Sequence, residues 1–111
     1  MRNYTIYLRD ILNAIASINE FVKKHNFESF KKDDLVSSAV VIKFEIIGEA
    51  AKNIPVSVRN RYPDIPWKEM AGMRDRLIHS YFGIKYELVW NTIKTVFPAI
   101  KPAIKKITDE L

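Results

Sequence analysis

The sequence predicts an all-α fold, an antiparallel bundle of about four to five helices in a single domain over residues 1–111. Three observations lead there. Apolar residues recur at three- and four-residue spacing along almost the whole chain. No segment shows the apolar–polar alternation of a half-buried strand. The five prolines fall where helices would begin, end or kink.

Residues 5–24 place Leu8, Ile11, Leu12, Ile15, Ile18 and Val22 on one helical face, with Asn13, Ser17, Asn19, Lys23 and Lys24 mostly elsewhere. Residues 25–32 are polar and basic and read as a loop. Asp33 or Asp34 suits the N-cap of a second helix, because a short carboxylate accepts from the free amides of a first turn. This helix runs to about Asn53 with Leu35, Val36, Ala39, Val40, Ile46, Ile47, Ala50 and Ala51 as buried candidates, and Pro55 stops it. Residues 55–66 read as a connection with one helical turn near 57–61. Pro66 suits the first turn of a third helix over 66–81, where its missing N–H costs nothing, and Gly83 suits its end. A fourth helix is expected over 85–97, with Leu88, Val89, Ile93 and Val96 inward. Pro98 opens a fifth, which carries Ile100, Ile104 and Ile107 and which Pro102 kinks or delays.

Composition narrows the function classes. The 111 residues include no cysteine, which excludes a disulfide framework, a thiol nucleophile and a thiolate zinc site. Two histidines, His25 and His79, do not supply a histidine-rich metal centre, and no metal or cofactor is expected. Eighteen Lys+Arg against 13 Asp+Glu leave a net charge of +5, which fits a polyanionic partner. The longest apolar run, residues 39–42, stops at Lys43, far short of the roughly 18–20 residues that cross a bilayer. The N-terminus has no apolar signal-peptide core. A soluble cytoplasmic protein is expected.

The third helix carries the chemistry. With Arg74 set at 0° and about 100° per residue, Asp75 falls near 100°, His79 near 140° and Tyr81 near 340°. Met70, Met73 and Leu77 form a core face, while Ala71, Ile78 and Phe82 form an apolar strip inside the polar arc. Such a strip suggests that a second chain covers this side. Asp75 and His79 are an i,i+4 pair, so the carboxylate orients the imidazole. Arg74 offers a forked donor for phosphate, and Tyr81 adds a hydroxyl at the same edge. This set suits metal-free phosphodiester cleavage, with His79 removing the 2′-OH proton and Arg74 stabilising the phosphorane-like transition state. On spacing alone, a solvated 74–76 charge run with a histidine filling a bundle gap accounts for the same residues.

The flanking sequence decides between the two. The chain resembles the HepT-like family of small all-helical toxins in the HEPN superfamily. The resemblance rests on Tyr7-Leu-Arg-Asp-Ile-Leu12, on Glu45-Ile-Ile-Gly-Glu-Ala-Ala-Lys52, on Arg61-Tyr-Pro-Asp-Ile-Pro-Trp67 and on Met70-Ala-Gly-Met-Arg-Asp-Arg-Leu-Ile-His-Ser-Tyr-Phe-Gly83. It covers roughly residues 4–110. The family signature R-x-x-x-x-H-x-Y falls on Arg74, His79 and Tyr81. The resemblance implies a toxin with metal-independent ribonuclease activity at a site built across a homodimer. It also implies a minimal nucleotidyltransferase antitoxin that silences the toxin by adding AMP to Tyr81. Lys85-Tyr86 departs from relatives that place an acidic cap there. The alternative is a non-catalytic module that binds nucleotide or RNA beside such a nucleotidyltransferase.

Other residues have plainer readings. Gly48 and Gly72 read as points of close helix approach, since each costs about 1 kcal/mol against alanine inside a helix. Glu45 and Glu49 read as a solvated edge or as partners of Arg74 or Arg76. His25 is expected against the last carbonyls of the first helix. Trp67 reads as a core anchor, Tyr4, Tyr7, Tyr62 and Tyr86 as packing or rim residues, and Lys101, Lys105 and Lys106 as a solvated face.

Overall fold

A computed structural model describes residues 4–73, 75 and 84–110. Every regular element among them is helical. The elements are α1 (Thr5–Val22), α2 (Phe27–Lys32), α3 (Asp34–Lys52), α4 (Val56–Arg61), α5 (Trp67–Ala71), α6 (Tyr86–Asn91), a π-helical turn (Thr92–Val96) and α7 (Phe97–Asp109).

α1 and α3 form the most extensive pair, and α7 packs on α1 as well. The 3-4-3 stripe of α1 is the reason: Leu8, Ile11, Ile15 and Ile18 lose all solvent contact, and Val22 nearly all. Leu12 is only half-buried, and Ala14 takes an inward place instead. Each fully buried aliphatic side chain contributes about 1.5–3 kcal/mol, so this stripe is a principal source of stability. Phe44 of α3 meets Phe97 of α7 edge-on, with ring centroids 5.3 Å apart.

Residues 25–32 are not a loop. Asn26 caps α2 by accepting from the Ser29 amide, while the Ser29 hydroxyl accepts from the Asn26 amide, a reciprocal capping box. Phe30 is fully buried and sits 5.1 Å from the Trp90 ring, so tertiary packing holds a six-residue helix that would not persist alone. Asp33 then ends α2 and caps α3, its carboxylate accepting from the Val36 amide at 3.0 Å. The expected cap is therefore present.

On α3, Val40, Ile47, Ala50 and Ala51 are buried as expected, together with Phe44 and Ser37. Leu35 and Ile46 are exposed, because the helix carries two apolar faces and only one meets the core. α4 extends the single turn expected near 57–61. Pro66 stands one residue before α5, at its N-cap.

The fourth and fifth expected helices are one continuous rod from Tyr86 to Asp109, joined by the π turn. Pro98 has no N–H to donate, and its ring would strike the carbonyl four residues back in a regular ladder. The wider turn, in which the Phe97 amide reaches back to the Thr92 carbonyl, makes room for it. Thr92 and Thr95 hydroxyls donate to the carbonyls of Leu88 and Asn91 at 2.7 and 2.8 Å, satisfying acceptors where the ladder shifts. Val89, Ile93, Ile100, Ile104 and Ile107 face inward as expected, Val96 is half-buried, and Leu88 is exposed. Pro102 lies inside α7 without ending it.

Candidate functional site

The structure places the start of the third predicted helix firmly. Trp67 is buried, and its indole N–H donates to the Tyr62 carbonyl at 3.0 Å. Met70 and Met73 are buried, as the expected core face requires. Ahead of this anchor, Arg59 closes the end of α3. Its guanidinium donates to the carbonyls of Ile54, Ala51 and Lys52 at 2.9–3.0 Å. A cation spread over the free carbonyls of a helix end is favourable through both hydrogen bonding and the helix dipole. The turn of α4 carries Arg59 to this place, and the sequence reading missed it; the signal was a basic residue four positions after the helix-stopping Pro55.

Of the four predicted site residues, Asp75 is described: it is helical and exposed, two positions beyond buried Met73. Arg74, His79 and Tyr81 lie outside the described residues, as do Arg76, Leu77, Ile78, Phe82 and Gly83. Ala71, which belongs to the expected apolar strip, is half-buried and packs against the core. Gly72 follows α5 as its C-cap. A Cβ there would meet the Lys68 carbonyl of its own turn at 3.3 Å. Gly48 is buried on α3.

A cleft of about 280 Å³ opens beside this helix start, with Met70, Met73, Leu88 and Val96 as apolar walls and Glu69, Asn91 and Thr92 as polar rim. A second cleft of about 270 Å³ lies between α2 and α6, lined by Phe27, Glu87, Trp90, Asn91 and Lys94. Asn91 borders both. Neither cleft was expected from the sequence, though Phe27-x-x-Phe30 and Trp90-x-x-x-Lys94 carry the helical spacing that builds the second.

His25 is placed differently from expectation. Its ring lies against Ser29, with Nδ1 3.0 Å from the hydroxyl, and Nε2 is 3.8 Å from the Asp33 carboxylate. Its ring thus ties the end of α1 to the start of α3, while its backbone N–H donates to the carbonyl of Val22, the last residue of α1, at 2.9 Å. Glu45 is half-buried and Glu49 exposed, as an edge would be. Lys101, Lys105 and Lys106 are exposed. Among the described residues no three His, Asp or Glu side chains converge as metal ligands, and no helix is long and apolar enough to cross a membrane.

A fold helical throughout its described residues, with the signature spacing in its sequence, defines a class, the HepT-like ribonucleases, and the chain belongs to that family: the family model described as "Ribonuclease HepT-like" matches residues 11–107. The chain is 45% identical over 106 residues to "Probable ribonuclease HepT" of Thermococcus cleftensis, covering 96% of each chain. It is 44% identical over 110 residues to a protein of Methanocaldococcus jannaschii named as a candidate RNase, covering 99% of this chain and 95% of that one. A similarly named protein of Caldanaerobacter subterraneus subsp. tengcongensis is 46% identical over 101 residues, covering 91% and 90%. No solved structure matches at a significant level.

Proposed function

We propose that this chain is a metal-independent endoribonuclease, the toxin of a toxin–antitoxin pair, working as a homodimer. The observation that carries the reading is the family match over residues 11–107, which spans Arg74, His79 and Tyr81 in their signature spacing. His79 takes the proton from a ribose 2′-OH. The 2′-oxygen forms a bond to phosphorus as the bond to the 5′-oxygen breaks, leaving a 2′,3′-cyclic phosphate. The departing oxygen receives a proton from the motif histidine of a second copy. Arg74 stabilises charge on the phosphorane-like transition state, and Asp75 orients His79. Exposure of Asp75, two positions beyond buried Met73, supports its place on a polar side of this segment.

An exposed apolar stripe supports the homodimer. Leu35, Ile42 and Ile46 are 81%, 57% and 38% exposed and, with half-buried Ala39, make a 4-3-4 stripe on α3. An apolar stripe on a small protein is a common sign of a partner. A minimal nucleotidyltransferase antitoxin silences the enzyme in this reading by adding AMP to the Tyr81 hydroxyl, which sets a bulky anion beside Arg74. Residues 1–111 act as one domain throughout.

The test is RNA cleavage by the purified chain in EDTA, wild type beside His79→Ala, with the 3′ ends identified. Cyclic phosphate ends lost in the variant are expected. Equal activity in both proteins would mean a contaminating nuclease. Inactivity of both, with no AMP on the wild type by intact mass, would favour a non-catalytic RNA- or nucleotide-binding module.

A further inference from the structure

We propose that the cleft between α2 and α6 holds an unpaired nucleobase of the RNA substrate; this rests on the ribonuclease reading above. Four observations converge on it.

The cleft has stacking surfaces. Trp90 and Phe27 both line it, their ring centroids 6.4 Å apart and tilted by 58°, and both are only half-buried. The two rings pack on each other, and Phe30 and Lys94 Nζ also lie against Trp90 at 5.1 and 4.8 Å, so a base stacks on the indole by taking the place of the ammonium.

The cleft offers a cation beside its rings, Lys94, with Lys31 on the neighbouring face of Phe27. Lys94 Nζ lies 4.8 Å from the centroid of Trp90, and Lys31 Nζ 5.9 Å from that of Phe27. Both lysines are exposed, and neither is in an ion pair among the described residues. An ammonium on an exposed stem swings aside to meet a phosphate as a base takes its place over the ring.

The cleft has an edge that reads a base. The Glu87 carboxylate accepts from an exocyclic amine, which adenine and cytosine carry and uracil does not. Finally, the cleft adjoins the one beside α5. Asn91 borders both this cleft and the apolar one walled by Met73, and Met73 directly precedes Arg74 in the chain.

The chain has two tryptophans, and Trp67 is buried, so a ligand that quenches fluorescence by stacking reports on Trp90. The probes are 2′-O-methyl hexanucleotides of adenine and of uracil, which cannot be cleaved, and an abasic hexamer with the same phosphates. Saturable quenching by the adenine oligomer is expected, weaker with uracil and absent with the abasic chain. By anisotropy of the labelled adenine oligomer, Trp90→Leu should bind about ten-fold more weakly or worse, and Trp90→Phe should restore much of the loss. Lys94→Ala, an exposed change that spares the fold, should lower the salt dependence by roughly one phosphate contact. Equal quenching by the abasic chain, or equal affinity in wild type, Trp90→Leu and Lys94→Ala, would overturn the subsite. If Trp90 is needed for binding while unmodified RNA stays intact, the ribonuclease reading fails and the subsite stands. If RNA is cleaved normally by Trp90→Leu with no quenching in wild type, the reverse holds.

Discussion

Tyr62 donates its hydroxyl hydrogen to the Glu110 carboxylate at 2.9 Å, joining the segment before α5 to the end of α7 across 48 positions of sequence. The carboxylate favours the protonated phenol and holds Tyr62 above the usual tyrosine value of 10.0, with desolvation adding to it. A folded-state pKa above the unfolded one gives stability that is present below pH 10 and lost as pH rises through the folded value. In a spectrophotometric titration, one of the five phenols should therefore ionise later than an unperturbed tyrosine. Tyr62→Phe should remove that late step. A variant that keeps it would assign the step to another tyrosine.

Arg59 should matter more to folding than its half-buried position on a short helix suggests. Arg59→Met keeps the aliphatic stem and removes the donors to Ala51, Lys52 and Ile54. A loss of roughly 1–3 kcal/mol is expected in urea unfolding. An unchanged midpoint would show that water replaces the clamp without cost.

Leu35 and Ile42 separate assembly from folding. Leu35→Ser with Ile42→Ser should leave the helical content of the chain intact, since both side chains lie outside the core. Sedimentation should show dimer in wild type and monomer in the variant. A variant that remains dimeric would place the second copy on another face. By contrast, Phe30→Ala empties a fully buried site and should cost about 3–5 kcal/mol.

Arg74→Lys tests whether charge alone serves the phosphate. Lysine keeps the positive charge and loses the planar fork. Cleavage should fall by roughly two to three orders of magnitude, the usual cost of one lost transition-state donor. Near-normal cleavage would reduce Arg74 to a source of long-range attraction.

Elements with one apolar face were legible in the sequence. The stripe of α1, the Asp33 cap and the inward isoleucines of α7 follow from spacing and side-chain chemistry alone. α2 was not, because its polar composition hides two aromatics whose helical state depends on Trp90 and Tyr86, some 60 positions away. Leu35, Ile46 and Leu88 were misplaced for a related reason: periodicity finds an apolar stripe and does not say what covers it. The join of α6 to α7 was missed because Pro98 reads as a helix start, and nothing local announces that a wide turn absorbs it. Of the site, Asp75 falls on the exposed side as its angle to Met70 and Met73 requires. The Trp90 cleft was invisible because Phe27 and Trp90 meet only in the folded chain.

The π turn between Thr92 and Val96 also has a consequence for how this gene can change. A wide turn is in effect one codon more than a regular helix needs, held in place by the proline that follows. Deleting a codon from 92–96 should be harmful while Pro98 remains, because the ring is driven back onto a carbonyl. Pro98→Ala alone leaves the extra codon with nothing to accommodate. The two changes together restore an unbroken ladder, so the path between bulged and regular forms of this rod runs through two mutations that compensate each other.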